Sequence, residues 1–133
     1  DAVVIGTWPY LHLTITLAAL ESGKHVLTEG RMAMNAAEAR QMLAASRAHP
    51  DLVTQVVPGP FTLSVDRIVQ DLLGDGYLGQ LQAVEMRISS GFVNSDAPMN
   101  FRTDGDVSGV NVLSLGIYYE SLVRWIGPAM AVT

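Results

Sequence analysis

Few side chains in this sequence have the types and spacing of a metal or nucleophilic site. The three histidines, His12, His25 and His49, form no H-x-x-x-H pair and have no carboxylates at the spacing of metal ligands. The chain contains no cysteine, which excludes disulfides, a thiolate zinc site and a thiol nucleophile. We therefore predict no metal site and expect the histidines to pack or to form hydrogen bonds.

The segment from Gly74 to Gly79, GDGYLG, has the letters of the dinucleotide motif G-x-G-x-x-G. That motif works between a strand and the N-terminus of a helix, where free N–H groups meet a pyrophosphate. In this chain a helical pattern precedes the glycines and a strand pattern follows them, which is the reverse order. We therefore interpret the glycines as the end of a helix and a turn.

Tyr118 is a candidate for acid/base chemistry. It shares one stripe of the last predicted helix, beside the apolar face, with Ser114, Ser121 and Trp125. Such a stripe can line a cleft, and a neighbouring cation can stabilise a phenolate that accepts a proton. On spacing alone, a tyrosine that only packs its ring is the simpler interpretation, and both stay open.

Residues 1–57 alternate between strand and helix patterns. Three short apolar runs are typical of strands that are buried on both faces of a parallel sheet: Ala2–Ile5, His25–Thr28 and Val53–Val57. Helical spacing predicts one helix over about residues 8–22 and a second that Asn35 caps and that ends before Pro50. Strand, helix, strand, helix, strand with short links predicts right-handed βαβ units. The predicted fold class is therefore α/β, with the second half of a doubly wound, Rossmann-type parallel sheet.

The pattern changes at Pro58-Gly59-Pro60, which favours a domain boundary. Ser64 then has the position of a cap on a helix that ends at Gly74. From Val84 to Ile88 apolar and charged residues alternate. A period of two indicates a strand in a sheet with one buried and one wet face.

A polar segment over residues 89–106 is long enough to be a functional loop. A last helix follows, and its apolar face carries Val112, Leu115, Tyr119, Leu122 and Ile126. Gly127-Pro128 ends this helix before a truncated strand at 129–132. We therefore expect residues 58–133 to begin an α+β domain with an open, mostly antiparallel sheet.

Composition excludes two classes of partner. Charged residues make up 16% of the 133 residues, against about 25% in typical domains, and the net charge is −5. A nucleic-acid binder or a polybasic membrane anchor needs a positive field that this chain lacks. The uncharged stretch before Glu21 is interrupted by Gly6 and Pro9, so a strand and a helix explain it better than a membrane span.

The start of the sequence indicates a piece of a longer protein. Asp1 leads at once into the apolar run of the first strand, without an initiator methionine or a signal-like charged region. We therefore expect an internal fragment and a cytoplasmic location. Because the chain is short of charge and its second sheet is half exposed, we also expect a homo-oligomer that forms through the sheet containing Val84 to Ile88.

Two stretches carry motifs at characteristic spacing. The first contains Thr7-Trp8-Pro9, His12, the run ALESGKHVLTE that ends at Glu29, and Glu38-Ala39-Arg40. The second, between residues 60 and 133, contains LLGDGYLGQL, FRTDGDVSG and LSLGIYYESLVRWIGP. Together they resemble the glucose–fructose oxidoreductase, inositol dehydrogenase and rhizopine-catabolism (Gfo/Idh/MocA) family, which reads T-P-x-x-x-H, A-L-x-x-G-K-H-V and E-K-P in the first stretch. The chain lacks the family's first βαβ unit, with its glycine fingerprint, and most of its C-terminal sheet.

The resemblance implies that a dinucleotide, NAD or NADP, lies beside the carboxyl end of the first strand. The cofactor-binding residues that it implies are Thr7, Trp8, Pro9, His12 and Glu29, with Trp8 inserted between the family's threonine and proline. Glu29 corresponds to the family's acidic residue near the nicotinamide ribose. Ligands of open α/β sheets bind outside the carboxyl ends of the strands, which is an independent physical reason for this position.

The resemblance also implies which groups act on the substrate. The sequence G-I-Y at Tyr118 matches the subgroup of the family in which a tyrosine takes the place of the proton-accepting histidine. Arg102 and Asp104 fall where the family contacts its substrate. The family's lysine, which contacts the reacting hydroxyl, is Gly30 here, and this leaves Arg31 as the local cation. An arginine stays protonated, so Arg31 would give electrostatic support and not transfer protons.

The implied function is that of an NAD(P)-dependent oxidoreductase, of which this chain is a fragment. It would transfer a hydride between a nicotinamide cofactor and a sugar, polyol or related alcohol or carbonyl. Two alternatives stay open. A non-catalytic relative kept for binding or assembly would explain Gly30 and the Ser114 that replaces the family's helix aspartate. A structural oligomerisation piece would explain the scarcity of charge.

Overall fold

The computed structural model describes residues 1–57, 64–89, 94, 96–110 and 115–132. These residues fall into two compact units, of which the first contains 1–57 and 99–110 and the second contains the others. The described helices and strands, in chain order, are β1 (Ala2–Ile5), α1 (His12–Glu21), β2 (His25–Thr28), α2 (Ala36–Ala48), β3 (Thr54–Val56), α3 (Asp66–Gly74), α4 (Gly105–Ser108) and α5 (Leu115–Ile126). None of these described helices has the length and apolar character of a transmembrane segment.

The first unit is built on a parallel sheet whose three described strands lie in the order β1-β2-β3. Ala2 lies opposite His25 and Ile5 opposite Thr28, and Thr28 also lies opposite Val56. Helices α1 and α2 connect successive parallel strands, as the crossovers of βαβ units do. The predicted Rossmann-type half-sheet is therefore confirmed, with a third strand shorter than the apolar run that predicted it.

Local sequence determines where the helices of the first unit begin. A 3-10 turn over Pro9–Leu11 precedes α1. At the start of α2, the Asn35 Oδ1 accepts the N–H groups of Ala37 and Glu38 at 2.9 and 3.0 Å. The Glu38 carboxylate in turn accepts the Met34 N–H at 3.0 Å. This reciprocal cap confirms the predicted role of Asn35 and fixes the direction in which the chain enters α2.

The core of the first unit lies between the sheet and its two long helices. The buried cluster consists of Ile5, Ala19, Leu20 and Val26. Alternate strand positions point the other way, and Val4 and Val53 are 71% and 63% exposed. In the described part of the chain the strands are therefore buried on one face, not on the predicted two, because α1 and α2 pack on the same face of the sheet.

A single carboxylate joins the two helices of the second unit. The Asp66 Oδ1, at the start of α3, accepts the Trp125 Nε1–H of α5 at 2.6 Å, and its Oδ2 pairs with Arg124. The structure places the N-cap of α3 at Val65, without a side-chain hydrogen bond, so the prediction that Ser64 caps this helix is wrong. A polar side chain just before a helix predicts a cap only to within a residue or two.

The structure of the glycine-rich segment after α3 confirms that these glycines end a helix and form a turn. The helix ends at Gly74, and Gly76 and Gly79 have φ angles of +69° and +63°, which are turn conformations that favour glycine. The strands predicted after it, at 84–88 and 129–132, have no strand structure. A strand needs a hydrogen-bonded neighbour, and none of the described residues pairs with these segments. The predicted antiparallel sheet is therefore not confirmed.

Residues 99–110 belong to the first unit, although the predicted division places them in a domain of residues 58–133. The reason is a contact distant in sequence, because the Val110 N–H donates to the Met34 carbonyl at 2.9 Å. The predicted boundary at Pro58-Gly59-Pro60, and the predicted roles of Val112 and Ser114, lie outside the described residues.

The Asn35 cap gives a first test of this fold. Asn35→Ala removes the acceptor of two N–H groups, and we expect it to lower the free energy of unfolding in urea by about 0.5–2 kcal/mol. Asn35→Asp keeps an oxygen acceptor at the same position, now of a carboxylate, and should stay near the wild type. Equal losses in the two variants, or no loss in Asn35→Ala, would contradict the cap.

Candidate functional site

The carboxyl ends of the described strands meet at one edge of the sheet because the strands are parallel. The segments that follow the strands at this edge are residues 6–8, 29–31 and 57. Backbone pairing continues one step past the strands, since the Glu29 N–H donates to the Ile5 carbonyl at 3.0 Å and the Val57 N–H to the Thr28 carbonyl at 2.8 Å. Thr7 and Glu29 are both exposed here, so this edge is open to a ligand.

His12 joins two of these segments from the protein interior. Its side chain is 1% exposed. Its Nε2 lies 2.8 Å from the Thr7 carbonyl oxygen, and its Nδ1 lies 3.3 Å from the Met32 carbonyl oxygen. Both oxygens are acceptors, and the shorter contact is the hydrogen bond that Nε2–H donates to Thr7. His12 therefore positions Thr7, and it does not itself form the exposed edge; Pro9 is buried as well.

Trp8 forms an aromatic contact that the sequence analysis missed. Its ring stacks on Phe101, with centroids 5.9 Å apart and planes at 5°. Tyr10 lies 6.5 Å from Trp8 at an angle of 59°, and the Arg102 guanidinium lies 4.6 Å from the Phe101 centroid. An aromatic pair contributes about 0.5–1.5 kcal/mol and an exposed cation–π contact about 0.5–1 kcal/mol. The available signal was the inserted tryptophan itself, a large ring beside a strand end that needs a partner.

The segment that carries Phe101 is held by close backbone contacts. Besides the bond from Val110 to the Met34 carbonyl, Gly109 has a φ of +68°, and a Cβ there would lie 2.1 Å from the same Met34 oxygen. Only glycine fits this approach. Ser108 is fully buried, and its hydroxyl donates to the Phe101 carbonyl. The position of Phe101 beside Trp8 is therefore set by the backbone around Met34.

Arg31 is a partly buried cation next to the edge. Its Nη1 is shielded from solvent and has no hydrogen-bond partner among the described residues. Burial lowers the pKa of Arg31, and repulsion from Arg102 lowers this pKa further. Arg31 also lines a pocket of about 420 Å³ with Met32, Asn35 and Val110. Two cations and an apolar pocket therefore lie in the same part of the first unit.

Ligands of open α/β sheets bind at strand-end edges of this kind. Comparison with known proteins indicates which family has an edge like this one. Residues 1–56 match the family model described as an oxidoreductase family with an NAD-binding Rossmann fold, GFO_IDH_MocA. This match assigns residues 1–56 to the Gfo/Idh/MocA oxidoreductase family. Trans-1,2-dihydrobenzene-1,2-diol dehydrogenase of Bos taurus is 30% identical over 126 residues. The match covers 95% of this chain, which spans 36% of that protein.

Two solved structures extend the comparison. Biliverdin reductase of Synechocystis sp. PCC 6803, in complex with biliverdin and NADP+, has a TM-score of 0.73 at 21% identity, over 98% of this chain and 40% of that one. This likeness concerns the fold alone. An inositol dehydrogenase homologue of Azotobacter vinelandii, complexed with NADH and myo-inositol, is 30% identical with a TM-score of 0.51. The match covers 59% of this chain and 21% of the homologue.

The family resemblance predicts a lysine at the position of Gly30, and the backbone there leaves room for a Cβ. A Cβ added at Gly30 would lie 3.7 Å from the Val57 carbonyl oxygen, an ordinary van der Waals contact. Contact at the Cβ therefore does not require glycine at this position.

The remaining predicted site residues have separate surroundings. Asp104 caps α4, where its Oδ1 accepts the Asp106 N–H at 2.9 Å, and this gives it a structural role. Tyr118 is half-buried on α5 of the second unit. Two members of its predicted stripe are also described, Ser121 as buried and Trp125 as bound to Asp66. The catalytic role of Tyr118 and the substrate roles of Arg102 and Asp104 stay predictions.

The approach of Gly109 to Met34 can be tested by hydrogen exchange. Gly109→Ala places a methyl group against backbone at a positive φ, so we expect it to destabilise the protein by about 1–3 kcal/mol and to speed exchange of the Val110 N–H. Gly105→Ala is the matched control, because nothing lies within 4 Å of a Cβ there. Unchanged Val110 exchange in Gly109→Ala would contradict the proposed anchor.

Proposed function

We propose that this chain contributes the strand-end edge of an NAD(P)-dependent oxidoreductase. The enzyme would transfer a hydride between a nicotinamide cofactor and a sugar, polyol or related alcohol or carbonyl. The observation that carries the proposal is the exposed position of Thr7 and Glu29 at the carboxyl ends of a parallel sheet, within residues that match the Gfo/Idh/MocA family. The names of the relatives, a diol dehydrogenase and an inositol dehydrogenase homologue, support the substrate class.

The residues at the edge fit one side of a dinucleotide. Thr7, Trp8 and Glu29 are exposed there and would contact the cofactor, and the buried His12 would hold Thr7 in place. The nicotinamide supplies or accepts the hydride when it is bound. In this proposal the first unit is the dinucleotide-binding part, and the second belongs to a substrate-binding and oligomerisation domain. A homo-oligomer and a cytoplasmic location also stay predictions.

Tyr118 is the proposed proton acceptor. A phenol has a pKa near 10, about three units above neutrality, so it needs a neighbouring cation to act as a base at pH 7. Gly30 removes the family's cation, and Arg31 is the adjacent positive charge in the sequence. Each unit of pKa depression corresponds to about a tenfold larger phenolate fraction, so the electrostatic partner has a large effect on rate.

A non-catalytic relative is the second candidate, and Gly30 favours it. Glycine provides no proton and no charge, and an arginine does not act as a general acid or base at ordinary pH. A relative of this kind would keep the edge for binding and would not turn over. The two experiments that follow separate it from the enzyme.

The first experiment compares two neighbouring tyrosines in the whole protein. With NAD+ or NADP+ and a panel of polyols, Tyr118→Phe should lower kcat by about 10²–10⁴, the usual contribution of a general base. Tyr119→Phe is the control, because its hydroxyl accepts only the Ala129 N–H, at 3.4 Å, among the bonds described. Wild-type turnover by Tyr118→Phe on the best substrate would remove the catalytic assignment.

The second experiment restores the family's lysine. If the missing cation limits the rate, Gly30→Lys should raise kcat about tenfold or more and move the ascending limb of the pH–rate profile to lower pH, since a nearby cation stabilises the phenolate. Gly30→Gln introduces an uncharged side chain of similar length, and it should neither raise kcat nor shift the pH profile in this way. The same rate in the two variants would mean that the lysine charge is not the missing group.

A further inference from the structure

We propose that the substrate of this site carries an anionic oxygen group, a carboxylate or a phosphate, and that the guanidinium of Arg31 binds it at the pocket beside α2. The inference rests on the proposed function, which gives the substrate as a sugar, polyol or related compound, and it adds an anionic group to that substrate. Neutral sugars and polyols would then be poor substrates compared with acidic ones.

The pocket has the form of a site for a small charged group. It has a volume of about 420 Å³ and lies entirely within the first unit. Its walls are mostly apolar, with Met32 and Val110 among them, and Arg31 is the cationic side chain in the lining. The N-cap residue of α2, Asn35, and the helix residues Ala36 and Ala39 also line it. Small-molecule sites combine apolar walls with a few polar groups in this way.

The Arg31 guanidinium lacks an acceptor. Its Nη1 is buried without a hydrogen-bond partner among the described residues, and none of the described ion pairs includes it. Buried donors in native proteins are almost always paired; Nη1 itself is closed to solvent, whereas Arg31 as a whole is half-buried. A carboxylate or phosphate in the pocket would pair with the accessible side of the guanidinium fork.

The surrounding charges favour an anion. Arg102 lies close enough to repel Arg31, and burial and this repulsion both lower the pKa of Arg31. The carboxylates of Glu38 and Asp104, in the same unit, accept backbone N–H groups in helix caps. An anion between the cations would relieve their repulsion.

The experiment measures binding to the whole protein by calorimetry at low salt, without cofactor. The probes are D-glucuronate, inorganic phosphate and neutral D-glucose. We expect at least one anion to bind with a Kd ten or more times lower than that of glucose, and the carboxylate and phosphate arms identify which group the site takes. Arg31→Gln should raise this Kd tenfold or more, and Arg31→Lys should restore part of the affinity. Arg40→Gln, an exposed arginine of α2, should leave it unchanged.

Three results would overturn the inference. The first is that neither anion binds more tightly than glucose. The second is that Arg40→Gln weakens binding as much as Arg31→Gln, because the effect would then come from net charge. The third is an unchanged Kd of the anion in Arg31→Gln, because the guanidinium would then not hold the anion.

A second measurement separates this inference from the proposed function. Oxidation of D-glucuronate and D-glucose is followed with NAD+ and NADP+ in the same protein. Turnover of neutral polyols without anion binding would contradict the anion site and leave the oxidoreductase intact. Anion binding that depends on Arg31, without turnover of any substrate, would support the site and contradict the oxidoreductase.

Discussion

The edge of the sheet depends on the hydrogen bond of one buried side chain, His12. Parallel strands bring three chain segments to the same edge, but nothing in the strands themselves fixes the backbone after they end. The His12 ring does so for the segment after β1, because its Nε2–H donates to the Thr7 carbonyl, and its Nδ1 lies 3.3 Å from the Met32 carbonyl oxygen. Its position at the start of α1 ties this link to the helix that covers the core. The exposed Thr7 at the edge is thus held in place by a contact of a buried side chain.

Met34 extends the same framework to the other side of the edge. Its N–H completes the cap of α2, and its carbonyl binds the segment that carries Phe101 and Arg102. One residue therefore connects a helix N-terminus, the loop after β2 and a segment more than sixty residues later in the chain. Trp8 completes the arrangement from the loop after β1 by stacking on Phe101. Preorganisation of this kind lowers the cost of ordering a site when ligand binds.

Much of the first unit could be predicted from the sequence because its signals are local. Apolar runs predicted the strands, and Asn35 with Glu38 predicted the start of α2. What sequence reasoning missed depends on contacts between distant residues. The stacking of Trp8 on Phe101 and the approach of Gly109 to Met34 have no local pattern. The alternation at 84–88 was misleading for the same reason, since a period of two describes faces and cannot supply a pairing partner.

The same distinction applies to the candidate site, because only some of its residues could be predicted from local sequence. Thr7 and Glu29 could be placed at the edge because they follow strands directly, whereas the burial of His12 and the unpaired Nη1 of Arg31 depend on contacts between residues distant in sequence. Family resemblance supplied the roles that geometry alone does not give. It also predicted Gly30 to differ from the family, and the structure leaves space for a Cβ at that position.

Direct hydride transfer is the central claim, and isotope labelling tests it most directly. The whole protein would be incubated with NAD+ or NADP+ and polyols deuterated at their carbinol carbons, and the reduced cofactor analysed by mass spectrometry. Our account predicts deuterium on the nicotinamide ring of the reduced cofactor, above the level found without protein. Reduced cofactor without deuterium, or no reduced cofactor with any labelled substrate, neutral or acidic, would contradict it.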